Sequence, residues 1–316
     1  MILFISHKKS QCGIYQYGLD VYNSLKKSLN YNFVYIESDT LNDIISFINI
    51  HKKEIKCIVY NYYPTTMPWI NTNILRKFSI KQIAIIHEFN QETIDKLNNN
   101  YFDAFLIPDP TINIAHTYIY KINRLIPNFE KEIVENNNKI SIGSFGFGFK
   151  DKGFEKIIEI AKNEFKDVEI DININMPFNT IVDIDGKNHA IKTKERCLKI
   201  IEKSKINLKI THNYMEKKDL LNFLHKNTIN AFFYDTNKDM GISSVIDFAL
   251  AVKKPIAITK SGMFRHIFNV TPSICIEDSN FQTIIKRGVS PFEKIYEEWS
   301  EENFIKRYEE ILDIIL

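Results

Sequence analysis

The chain has little of what marks secreted scaffolds or membrane spans: across 316 residues there are four cysteines, ten glycines, nine prolines and two tryptophans. Cys12, Cys57, Cys197 and Cys275 are dispersed, without a C-x-x-C pair. Neither a metal site nor a disulfide framework is indicated, and reduced thiols are expected. No apolar run approaches the roughly 18 residues needed to cross a bilayer. Membrane contact, if made, would be peripheral, at the inner face. Met1 leads straight into Ile-Leu-Phe-Ile, with no charged n-region and no small-residue cleavage site, so a cytoplasmic protein is expected. An excess of one charge sign is missing too. The net charge is +2, with 14 basic against 13 acidic residues up to Glu135 and 27 against 26 beyond it. Neither half offers a field for nucleic acid, and no nucleic-acid partner is expected. The absence of G-x-S-x-G, H-E-x-x-H and G-K-[ST] removes the support for hydrolase and P-loop readings. Repeats of solenoid period and Gly/Ser-rich or Pro-rich linkers are lacking as well.

What is present is apolar residue, 44% of the chain, over a length that exceeds what one core usually organises. Short runs rich in Ile, Val, Phe and Tyr alternate with helix-period segments. Strands are expected at Ile2–Ser6, Phe33–Glu37, Ile55–Tyr62, Gln82–His87, Ala104–Pro108 and Arg124–Pro127, with a first helix over Tyr15–Leu29. After the polar stretch 132–139 the rhythm restarts, with strands expected at Ile140–Phe145, Glu169–Asn175, Leu208–His212, Ile229–Tyr234, Pro255–Thr259 and Ser273–Ile276. The runs are mostly continuous rather than alternating, as in parallel strands covered on both faces. The expected fold class is α/β: two Rossmann-like doubly wound parallel-sheet domains, over 1–135 and 136–299. The segment Pro291–Leu316 carries apolar residues at helical spacing and needs a surface to cover. The many Asn, Lys and Ile residues are read as genome composition.

Three stretches could carry chemistry. The first runs from Asp239 through Met240, Gly241, Ile242, Ser243 and Ser244 to Asp247, then through small apolar residues to Pro255. A helix starting near Gly241 would aim unpaired amides at an anion, and two carboxylates would face one elongated ligand. The second is Ile142-Gly-Ser-Phe-Gly146-Phe-Gly148-Phe-Lys150-Asp-Lys152-Gly153, where glycines permit unusual backbone and lysines reach a bound anion. The third combines the loop around Gly13, after the first strand, with His87 and Glu88 at the carboxyl end of another.

In these stretches the chain resembles retaining GT-B glycosyltransferases of family 4, whose signature is an acid, seven residues, a second acid, a small-residue helix and a Pro-led strand. Asp239 and Asp247 stand where glutamates are usual. The resemblance implies two domains facing a cleft, with a last helix near 300–316 packing back on the first. It implies a nucleoside diphosphate sugar, UDP- or GDP-linked, as donor substrate, with no tightly bound cofactor and no metal. The acceptor would be a glycan, a lipid-linked sugar or a protein. It further implies that Asp239 contacts the donor sugar, that the backbone from Gly241 through Ile242 to Ser243 binds phosphate, and that Asp247 holds the ribose. Lys152 would neutralise the leaving diphosphate, helped by Lys150 and Gly146. Phe147 stands near the place of the arginine usual in that loop. Gly13 would approach the phosphate, and His87 would touch the reacting sugar. Asp183-Ile-Asp185 has the spelling of a metal-binding D-x-D but falls in a polar excursion, where no metal is expected. A nucleotide-sugar epimerase of the same architecture and a non-catalytic sugar-nucleotide-binding protein are the alternatives.

Overall fold

The computed structural model describes residues 1–9, 12–130, 139–178, 186–236 and 241–316. Two compact units emerge. The first comprises Met1–Leu125, Gly241 and Tyr296–Leu316, and the second comprises the described residues from 126 to 236 together with Ile242–Ile295.

In the first unit, β1 (Ile2–Ser6), β2 (Phe33–Glu37), β3 (Cys57–Tyr62), β4 (Lys81–Ile86), β5 (Ala104–Ile107) and β6 (Ile119–Lys121) form one parallel sheet in the order β2-β1-β3-β4-β5-β6. Its helices are α1 (Gly13–Leu25), α2 (Leu41–His51), α3 (Thr72–Leu75) and α4 (Gln91–Asp95). Alternate strand residues serve two cores. Leu3, Ile5, Ile58 and Tyr60 pack under α2, α3 and α4, whereas Ile2, Phe4, Cys57 and Val59 pack under Val21 and Leu25 of α1. Both faces are therefore buried, which is why the strands read as unbroken apolar runs.

The second unit contains β7 (Ser141–Phe145), α5 (Phe154–Glu164), β8 (Ile170–Asn175), α6 (Gly186–Ile200), β9 (Ile206–Thr211), α7 (Lys217–His225), β10 (Ile229–Phe232), α8 (Val245–Ala251), β11 (Ile256–Ile258) and α9 (Phe281–Arg287). The sheet order is β11-β10-β7-β8-β9, again parallel throughout. One face is apolar, packed on α5, α6 and α9. The other docks α7 through amides: Asn173 Nδ2 donates to Asn227 Oδ1 at 2.9 Å, Asn227 Nδ2 to the Phe223 carbonyl at 2.8 Å, and Asn230 Nδ2 to the Leu224 carbonyl at 3.3 Å. These asparagines, read above as composition, satisfy helix-end carbonyls that burial would otherwise strand.

After α9, α10 (Glu293–Glu298) and α11 (Glu301–Ile315) close the chain. Ser300 caps α11 by accepting from the Asn303 amide. Phe304, Tyr308, Ile311 and Leu312 of α11 join the α1 side of the first sheet. Ser24 Oγ and Lys27 Nζ both reach Glu301, at 2.9 and 2.6 Å.

Three elements differ from the sequence expectation. The first helix ends at Leu25, leaving Leu29 99% exposed, because the Ser28 hydroxyl accepts the amides of Asn30 and Tyr31 and turns the chain. The sixth strand is Ile119–Lys121 rather than Arg124–Pro127. Arg124 is committed through its side chain to the Pro108 carbonyl at 3.3 Å, and Pro127 has no amide for a ladder. Ser273–Ile276 makes one bridge, Cys275 with Ile258, since the Ser273 hydroxyl takes the Cys275 amide at 3.2 Å.

Candidate functional site

In the second unit the chain places β8 and β9 on one side of β7 and then returns to place β10 and β11 on the other. Ligands of open α/β sheets bind outside the carboxyl ends of the strands at such a reversal. At the end of β7 stands Gly146, with φ +147°. Just past β10 stands Tyr234, 3% exposed, whose carbonyl accepts from Thr259 Oγ1 at 2.6 Å.

Three groups converge on the Tyr234 ring. Lys152 Nζ lies 4.1 Å from its centroid, Ser243 hydrogen-bonds its phenol, and a Cβ built on Gly146 would lie 3.5 Å from its oxygen. Burial raises the phenol's pKa, Ser243 opposes the rise and Asp151 adds to it, so the phenol stays protonated. The lysine is aimed by a 3₁₀ turn, Lys150–Lys152, stopped by Gly153 in the left-handed region at φ +65°. A side chain at 153 would put its Cβ 1.9 Å from the Phe233 carbonyl oxygen. The turn must pass flush against the end of β10, and this turns the Lys152 side chain, 16% exposed, onto the neighbouring tyrosine. An aromatic face attracts a cation without neutralising it. The half-exposed Asp151 carboxylate stands 4.0 Å from the ammonium.

The backbone around this cluster is less open than the sequence suggests. The Gly146 amide donates to the Asn175 carbonyl at 3.0 Å, and the Ser243 amide to the Met263 carbonyl at 3.0 Å. That second bond holds the chain before Ser244 out of helical conformation. As a result α8 starts at Val245 and not near Gly241, and the expected helix opening moves past the Gly241–Ser243 stretch. Ile242 and Ser243 are partly buried, and Asp247 in the first turn of α8 is 3% exposed. Lys150 is exposed. Gly148 keeps an ordinary φ and serves packing, with Ala190 Cα 2.4 Å from where its Cβ would be. Asp239, Asp183 and Asp185 lie outside the described residues. Among the described residues no three His, Cys, Asp or Glu side chains group as metal ligands would.

In the first unit the reversal falls between β1 and β3. Asn61 near the end of β3 is the hub: its Nδ2 donates to Ser6 Oγ at 3.1 Å and to the Ile14 carbonyl at 2.7 Å, and its Oδ1 lies 2.7 Å from His87 Nε2. With the amide nitrogen committed, the oxygen must accept, so Nε2 carries the His87 proton. Burial, then the charges of Arg124 and His7, lower the His87 pKa to about 3. The ring is neutral, and its Nδ1 is an acceptor. Tyr17 packs its ring edgewise on His87 at 5.2 Å, and the Arg124 guanidinium lies 5.6 Å over Tyr17.

His7, just past β1, is wholly buried; its Nδ1 accepts the Lys9 amide at 3.1 Å, and its Nε2 has no partner among the described residues. Gly18 leaves the room Asn61 needs: a Cβ there would come within 2.2 Å of Asn61 Nδ2. Gly13 begins α1, and no described residue comes within 4 Å of its would-be Cβ. Glu88, at φ 53°, accepts from the Tyr63 hydroxyl. Gly241, in this unit, would place a Cβ 2.8 Å from the Glu88 Cα.

Sequence reasoning gave no site role to His7, Tyr17, Gly18, Asn61, Arg124 or Tyr234. One faint signal existed. Only six of the 41 basic residues are arginine, and a lysine-rich chain that keeps an arginine points to a need for planar, stacking charge, as at Arg124.

No protein-family model matches the chain, and no curated protein does. Solved structures do. HepE from Anabaena in complex with UDP superposes with a TM-score of 0.68 at 10% identity, covering 99% of each chain. The UDP-forming α,α-trehalose-phosphate synthase of Burkholderia xenovorans with glucose-6-phosphate gives 0.64 at 8% identity, over 100% of each chain. The N-terminal domain of Candida albicans trehalose-6-phosphate phosphatase gives 0.62 at 11%, covering 99% of this chain and 96% of that one. At such identities the likeness is one of fold, and the fold is α/β of the GT-B type, with two parallel-sheet units.

Proposed function

We propose that the protein is a nucleotide-sugar-dependent glycosyltransferase that uses a nucleoside diphosphate sugar, UDP-linked in first place, to glycosylate a hydroxyl with retention of configuration. The observation that carries this reading is the Lys152 ammonium poised over Tyr234 at the strand-order reversal of the second sheet. The fold shared with UDP-bound HepE supports it.

Departure of the sugar leaves negative charge on the diphosphate and an oxocarbenium-like ring. Preorganised charge aimed at the first stabilises the transition state without rearrangement during the step. Lys152 supplies it, held by the Tyr234 face and backed by Lys150. Because the Gly146 and Ser243 amides are engaged, phosphate recognition falls to this lysine, the Ser243 hydroxyl and the backbone at Gly241 and Ile242, while Gly146 admits the ligand closely. Asp247 takes the ribose, Asp239 the sugar hydroxyls, and Gly13 lets the backbone approach phosphate. His87, neutral and accepting at Nδ1, orients a hydroxyl rather than removing its proton. The acceptor is a glycan, lipid-linked or protein hydroxyl, and the work is cytoplasmic, with membrane contact peripheral.

Thermal denaturation with UDP, GDP, ADP and CMP tests the reading. UDP at a hundredfold excess over its Kd should add about 2.7 kcal/mol and raise the melting temperature by several degrees. Lys152→Ala should weaken that shift and lower transfer from UDP-sugars by about 10²–10³-fold. A panel in which no nucleotide moves the transition, or a Lys152→Ala variant with full transfer, would overturn it.

A further inference from the structure

The first unit holds a cavity that none of the residues above uses. It encloses about 390 Å³ beside Tyr62 and Ile86, the last residues of β3 and β4, at the carboxyl edge where ligands of open sheets collect. That volume sits at the low end of ligand pockets. Its lining combines two kinds of group.

Tyr62, Tyr101 and Phe102 supply aromatic rings. Phe102 is 3% exposed and lies tilted against Tyr62, ring centroids 5.2 Å apart, while Tyr101 is 60% exposed and forms the rim. Asn71, Asn73 and Asn98 supply amides. Two of these have their oxygens committed, Asn71 to the Ile74 amide and Asn98 to the Asn100 amide. What each still presents is its NH₂ group, a donor. The wall is built in advance: the Tyr118 hydroxyl donates to the Leu97 carbonyl at 2.9 Å, and Arg76 donates to the Asn99 carbonyl.

Charge decides between ligands. Among the described residues of the lining Lys96 is the one Lys, Arg, Asp or Glu, and it lies 72% exposed in an ion pair with Glu92. A phosphate or carboxylate would find no buried counter-charge, and its desolvation would go unrepaid. A pyranose ring fits both halves of the lining. Its axial C–H face lies on the electron-rich face of an aromatic ring, and its hydroxyl oxygens accept from amide NH₂ groups. An acyl chain would use the rings only and leave the three exposed amides to water.

We infer that this cavity is a subsite for an uncharged sugar ring. Calling that ring part of the acceptor rests on the proposed transferase reading; the ligand class rests on the lining alone. The test is saturation-transfer NMR and calorimetry on the full chain with maltose, cellobiose, lactose and chitobiose, beside glucose 6-phosphate and decanol. At least one disaccharide should bind more tightly than glucose 6-phosphate. Tyr101→Ala should weaken it at least tenfold and Asn98→Ala several-fold, both with the UDP-induced melting shift intact. Binding of none of the four, binding unchanged in both variants, or decanol binding in their place and lost in Tyr101→Ala would each overturn the inference. A missing UDP shift with sugar binding intact strikes the transferase reading instead.

Discussion

A neutral imidazole whose one N–H is given to an amide oxygen can only accept with its other nitrogen. That is the condition of His87, locked by Asn61 and kept uncharged by burial and by Arg124. Its folded pKa of about 3 lies below the ordinary 6.5. Between those values the unfolded chain binds the proton and the folded chain does not, so stability is lost as pH falls through 6.5 toward 3, at about 1.4 kcal/mol per pH unit. His7, lowered by burial in the same direction, adds to the slope. Denaturant unfolding between pH 5 and 7, above the range where carboxylates titrate, should show a steeper fall for the native chain than for His87→Gln, whose amide still donates to Asn61. Equal slopes would mean the ring is not held neutral. His87 was legible in the sequence because it ends an apolar strand. Its partners were not, since Asn61, Tyr17 and Arg124 come from three distant segments and meet only through strand order.

At the scale of elements, the lysine-bearing turn depends on a glycine for two separable reasons, a left-handed φ and contact with the Phe233 carbonyl. An alanine held at φ +65°, ψ +29° costs about 1–2 kcal/mol for the left-handed backbone by itself. Gly153→Ala must also push back the end of β10 and should cost at least twice that, read by denaturant unfolding. A loss no larger than the backbone cost would remove the close approach from the account. The Lys152-Gly153 pair could be read from sequence because glycine before a helical run marks a special backbone. The start of α8 could not. Gly241, Ile242 and two serines spell a helix opening, and only the Met263 carbonyl, twenty residues beyond Ser243, decides that the Ser243 amide goes elsewhere.

For the whole molecule, the last helix serves the first strands. Phe304 is fully buried among Ile2, Phe4 and Val21 of the first unit. Phe304→Ala should cost about 3–5 kcal/mol, and hydrogen exchange should show the loss in β1 and α1 while α5 and β8 of the second unit keep their protection. Faster exchange everywhere, or nowhere, would refute that assignment. The alternation of apolar runs with amphipathic segments determined by itself that the chain builds parallel sheets covered on both faces, because burying every strand residue leaves no other period. It also named the glycines, lysine and histidine at strand ends, where a β-α turn must stand. Only tertiary structure decided that one sheet runs β2-β1-β3 and the other β10-β7-β8, which amides are already spent, and that Tyr234 lies beneath Lys152. Those facts are set by pairings between segments far apart in the chain, and local pattern carries no record of which strand lies beside which.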